Sequence, residues 1–86
     1  MNIELIMTCS ACPEQYDAYY NNLLVGYLRL RHGEFTVTFP NVGGELIYSA
    51  EPEGDGCFED HERDYFLMEA EKAILHKLAN TKFIKI

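Results

Sequence analysis

GYLRLRHGEFTVTF, Gly26 to Phe39, decides the fold, because here the chain specifies a turn and the register of both flanking strands. His32-Gly33 reads as a two-residue hairpin turn of the primed type, which needs positive φ at both central residues; glycine adopts it freely and histidine tolerates it. The turn pairs Arg31 with Glu34, Leu30 with Phe35, Arg29 with Thr36, Leu28 with Val37 and Tyr27 with Thr38. Successive side chains of a strand point to opposite faces, so Leu28, Leu30, Phe35 and Val37 form an apolar face. Tyr27, Arg29 and Arg31 share the other face with Thr36 and Thr38, an aromatic and basic strip in an acidic chain.

Working outward, Asn2 to Thr8 alternates with Ile3, Leu5 and Met7 on one side and reads as a strand. Glu14 to Tyr20 is a second strand, and Asn21-Asn22 a second two-residue turn, since asparagine also tolerates positive φ. An uninterrupted register from that turn pairs Tyr20 with Leu23, Ala18 with Val25 and Tyr16 with Tyr27. It places Tyr16, Tyr20, Leu23 and Val25 on the strip's face. Pro40 to Gly44 is a loop, Glu45 to Ala50 a strand with Leu46 and Tyr48 on one side, and Glu51 to Gly56 (EPEGDG) a turn-rich acidic loop. From about Phe58 the period becomes helical, with Phe66, Leu67, Ala70, Ala73, Ile74 and Leu78 as the apolar stripe. Asp55 or Asp60 is the expected N-cap, Asn80 the terminating residue, and Phe83 to Ile86 a short closing strand. The expected fold is α+β: one domain over residues 1–86, an antiparallel β-meander of four to five strands packed by one long C-terminal helix.

The charge is unevenly distributed. Residues 1–44 carry −2, residues 45–71 carry −9 and residues 72–86 carry +4, giving −7 for the 86 residues. Such acidity argues against generic binding to a nucleic-acid backbone, which needs a basic footprint, and leaves basic proteins or small anions held by local arginines. Met1 to Met7 lacks a basic start and a long apolar run, so it does not read as a signal peptide, and no stretch reads as a membrane span. The expected location is the cytosol.

Two sets of residues are candidates for chemistry. Tyr16, Tyr27, Arg29 and Arg31 offer rings for stacking and guanidinium forks for phosphate, and Gly54 and Gly56, ahead of the helix, offer backbone donors to the same anion. Tyrosine and arginine are also favoured at protein interfaces, and an apolar sheet face that the single helix cannot cover would equally be buried by a second copy of the chain, so a homo-oligomer is also expected. Cys9-x-x-Cys12 with Cys57-x-x-x-His61 supplies four soft ligands of the kind that hold structural zinc; alternatively the cysteines are small apolar residues. No spacing assembles a nucleophile with a base, and the expectation is a non-catalytic protein without an obligatory cofactor.

Three stretches, CSACPEQYD at Cys9 to Asp17, GYLRLRHG at Gly26 to Gly33 and GDGCF at Gly54 to Phe58, resemble small uncharacterised proteins encoded by bacteriophages and prophages. The resemblance carries no activity that could be transferred to particular residues. It implies a short phage accessory protein acting in the bacterial host cell, a class rich in inhibitors of host defence. Two mechanisms fit that context. One is sequestration of a nucleotide-like anionic ligand on the Tyr/Arg face; the other is blockade of a basic, nucleic-acid-binding host enzyme by the acidic segment, in the manner of anti-CRISPR or anti-restriction proteins.

Overall fold

The computed structural model describes residues 2–10 and 13–81. Five strands run in chain order, β1 (Glu4–Cys9), β2 (Glu14–Tyr20), β3 (Leu23–Arg31), β4 (Glu34–Phe39) and β5 (Glu45–Ala50), followed by α1 (Asp60–Ala79). Each strand pairs antiparallel with the next, so the sheet is an open meander in the order β1-β2-β3-β4-β5. Phe83 to Ile86 lies outside the described residues.

Both turns form as their dipeptides require: φ is 53° at His32 and 76° at Gly33, 51° at Asn21 and 67° at Asn22. The β3–β4 register is the one dictated by His32-Gly33, pair for pair. The β2–β3 register follows the expected one only for Tyr20 with Leu23 and Tyr19 with Leu24. A bulge then takes in Val25 as an extra residue, and Ala18 meets Gly26, Tyr16 meets Leu28 and Gln15 meets Arg29. This corrects the faces of β2 and of Val25. Tyr16 is buried on the core side with Leu28, Val25 is buried too, and Asp17 takes the place across from Tyr27 expected for Tyr16, with Gln15 across from Arg29.

A second bulge lies in β5, where Val37 pairs with Tyr48 but Thr38 pairs with Leu46. Tyr48 packs edge-on to Phe35 at 6.0 Å while Leu46 is 55% exposed, so these two residues do not share the one side expected of them.

The core lies between the sheet and α1. Ala70, Ile74 and Leu78 recur at intervals of four along the helix and are buried, with Phe66 and Leu67 packed beside them. Gly26 lets the helix come close, because a Cβ there would sit 2.8 Å from Ile74 Cδ1. Phe58, immediately before the helix, meets Phe35 edge-on at 4.9 Å and stacks on Phe66 at 5.7 Å, which draws the preceding loop onto the sheet. The N-cap is Glu59, in place of Asp55 or Asp60, and its N–H donates to the Glu62 carboxylate at 2.9 Å. At the other end Asn80 is the C-cap, its amide donating to the His76 carbonyl at 2.8 Å.

Candidate functional site

The sheet face away from α1 is polar around β3, with exposed Ile6 and Leu46 at the two ends of one row, and its rows follow from the register. Gln15, Arg29, Thr36 and Ser49 stand side by side across four strands; Asp17, Tyr27 and Thr38 form the neighbouring row; Arg31 stands across from Glu34. Arg29 and Arg31 are two residues apart on β3 and therefore project to the same side. With His32 they form a ridge between two clefts. One, of about 560 Å³, is completed by Pro13, Gln15, Asp55 and Gly56. The other, of about 260 Å³, is completed by Glu34 and Thr36.

Among the described residues neither Arg29 nor Arg31 has an ion-pair partner. A third cleft of about 580 Å³, between β5 and α1, also contains cations, but these are committed: Lys77 pairs with Glu45 at 2.7 Å and Lys72 with Glu69 at 3.3 Å.

The loop that brings Asp55 and Gly56 to the ridge is tied down at several points. The Gly33 N–H donates to the Asp55 carbonyl at 2.7 Å, and the Glu14 N–H to the Gly56 carbonyl at 2.8 Å. Glu62, buried in the first turn of α1, accepts the N–H groups of Glu53 at 2.8 Å, Gly54 at 2.9 Å and Glu59 at 2.9 Å. Burial pushes the Glu62 carboxyl up, but these three backbone donors outweigh it and hold the group below its ordinary range. Gly54 is therefore not an anion donor as its position suggested, since its N–H is taken by Glu62. The chain there is so tight that a Cβ would stand 1.8 Å from the Cys57 carbonyl oxygen. Gly56 does reach the cleft wall.

Glu14 performs a similar task on β2. Its side chain is 0% exposed and accepts from the Phe58 N–H at 3.0 Å, Tyr16 Oη at 2.5 Å, Arg63 Nε at 2.9 Å and Arg63 Nη2 at 3.3 Å. Burial raises the Glu14 carboxyl, yet hydrogen bonds from Arg63, Tyr16 and Phe58 bring it below the ordinary range. Tyr16 is shifted the opposite way: burial and its bond to Glu14 push the phenol well above its usual value. It is a core residue tied to a carboxylate, and its ring offers no stacking surface on the strip.

No protein-family model, curated protein or solved structure matches the chain. The chemistry of the site accordingly rests on its own residues. Tyr27 stands one row from Arg29, outside the walls of both clefts, and its hydroxyl accepts from the Gln15 amide. His32 and Asp55 line one wall, but among the described residues no hydrogen bond joins them, so nothing orients the imidazole as a base. What the arrangement provides is two forks with no ion-pair partner among the described residues, an amide, an imidazole, a proline ring and, to one side, the Asp55 carboxylate around one concavity. That equipment suits anion binding.

Gln15, His32 and Asp55 are the wall residues that sequence reasoning missed. Gln15 was hidden by the bulge, His32 was accounted for by the turn, and nothing in the sequence places Asp55 beside Gly33.

The four-residue zinc set is not assembled among the described residues. Cys12 lies outside them, Cys57 Sγ donates to the Ser10 carbonyl at 3.5 Å, and His61 Nε2 lies 3.2 Å from Glu53 Oε1. The donor atoms that do fall within 4.8 Å of one another belong to Glu53, His61 and Glu62. With three backbone N–H groups already on the Glu62 carboxylate, that cluster is accounted for as the latch of the loop. No helix among the described residues is long and apolar enough to cross a membrane.

Proposed function

We propose that this chain is a non-catalytic, phage-type accessory protein that counters a host defence by sequestering a nucleotide-like anion on the ridge of Arg29 and Arg31. One observation carries the reading: two arginines on one strand, both in the wall of the same cleft, have no carboxylate partner among the described residues, in a chain with twice as many acids as lysines and arginines. Unpaired guanidinium groups converging on a concavity are what a phosphate or carboxylate ligand needs. The acidic segment supports a host-enzyme inhibitor less well. Of its ten carboxylates, Glu45, Asp60 and Glu69 pair with Lys77, Arg63 and Lys72, and Glu62 is buried.

Calorimetry of the wild type and Arg29→Ala/Arg31→Ala against ADP-ribose, cyclic dinucleotides and ATP tests the proposal. Each charge-assisted contact contributes about 1.5–3 kcal/mol, so losing both should weaken binding on the order of a hundredfold or more. If no nucleotide binds the wild type, or if the folded double variant binds as tightly, the reading is wrong. A basic host protein retained by both forms would then favour the acidic segment as the working surface.

A further inference from the structure

The groups flanking the ridge narrow the ligand to one class, on the reading that Arg29 and Arg31 hold an anion. Both clefts share the two arginines and His32, and each ends in a carboxylate with a neutral polar neighbour: Asp55 with Gln15 on one side, Glu34 with Thr36 on the other. The placement is set by the backbone. Glu34 stands across from Arg31 and Thr36 across from Arg29 on β4, Gln15 stands across from Arg29 on β2, and the Asp55 carbonyl is held by the Gly33 N–H at 2.7 Å. Each cleft thus has one carboxylate in its wall beside the two forks that it shares with the other.

A phosphate held by the two forks meets their positive charge, with the carboxylates in the flanking walls of the clefts. A second anionic group reaching into either flank meets a carboxylate, which repels it and offers it no donor. Ribose hydroxyls and exocyclic amines behave in the opposite way, since they are donors and an ionised carboxylate is purely an acceptor. The larger cleft falls within the range of roughly 300–1,000 Å³ usual for small-ligand sites, and the smaller one extends it past the ridge.

We infer that the ridge selects ligands whose charge is confined to the middle: two neutral, hydroxyl-bearing ends joined through a diphosphate or phosphodiester bridge, and not nucleotides with a terminal phosphate. Attraction by two arginines alone gives the reverse order, because ATP carries more charge than a bridged dinucleotide.

Competitive calorimetry at fixed ionic strength decides the matter, with ADP-ribose and diadenosine diphosphate as bridged probes and ADP and ATP as terminal ones. Wild type should bind the bridged probes at least about tenfold more tightly than ATP. Glu34→Gln/Asp55→Asn, which leaves the Asp55 main-chain contact in place, should erase the preference by raising ATP affinity about tenfold or more. Wild type that prefers ATP, or a double variant that keeps the bridged preference, overturns the selectivity alone. Failure of all four probes to bind overturns the anion site as well. The wild-type order needs no variant, so misfolding of a mutant leaves the test intact.

Discussion

Arg63 donates through Nε to Glu14 at 2.9 Å and through Nη1 to Asp60 at 2.8 Å, whereas Arg29 and Arg31 stand in a cleft wall and meet no carboxylate among the described residues. The difference is not a shortage of partners. Glu34 lies across from Arg31 in the register, yet the two do not come within ion-pair distance. One arginine is committed to joining β2, the loop and the helix; the other two carry charge that no carboxylate among the described residues pairs with. Residue type alone could not separate these roles, and burial with partnership does.

The largest expected effect follows from that contrast. Arg63→Met strands the buried Glu14 carboxylate and should lower stability by about 3–5 kcal/mol in urea unfolding, the usual result of breaking a buried pair from one side. Arg29→Ala/Arg31→Ala should change stability by no more than about 0.5 kcal/mol. Equal losses in the two proteins would erase the distinction.

An acid titration sharpens it. Glu14 and Glu62 both have folded pKa values below their ordinary value of 4.5, so their contribution is fully present above the unfolded value and is lost as pH falls through the folded one. The urea midpoint should therefore drop progressively as the solution is taken below about pH 4.5. In Arg63→Met the drop should be smaller, because Glu14 then loses the partner that depresses its pKa. The smallest effect belongs to Asp60, whose side chain is 98% exposed: Asp60→Asn should leave the midpoint where it was, since a solvated pair at the helix start contributes little. A clear shift there would mean that Arg63 is anchored from the surface as much as from the core.

Much of the fold is legible in dipeptides and periods. His32-Gly33 and Asn21-Asn22 announce hairpins because few residues accept positive φ, and the change of period near Phe58 marks the helix. The bulges at Val25 and in β5 are not legible, because alternation looks the same whether or not one residue is skipped; a single extra residue turned Tyr16 into the core and brought Gln15 and Asp17 onto the strip's face. Arg29 and Arg31 could be placed on one face because they precede the secure turn, with no bulge between. Glu14 read as an ordinary strand acid, since its partner Arg63 lies 49 residues away and only packing of α1 brings them together. Glu59 was passed over as a cap because aspartate is the commoner one; the usable signal was Glu62, three residues on, in capping-box position.

The bonds from Gly33 to Asp55 and from Glu14 to Gly56 fasten the hairpin tip and the acidic loop together before anything arrives. A ligand that entered this cleft would meet a wall that these two bonds already hold in place among the described residues. Association then proceeds at the pace of encounter and alignment, and ligands that fit well differ from those that fit poorly in how long they stay rather than in how fast they come. If the proposed sequestering function holds, residence time is the quantity that matters.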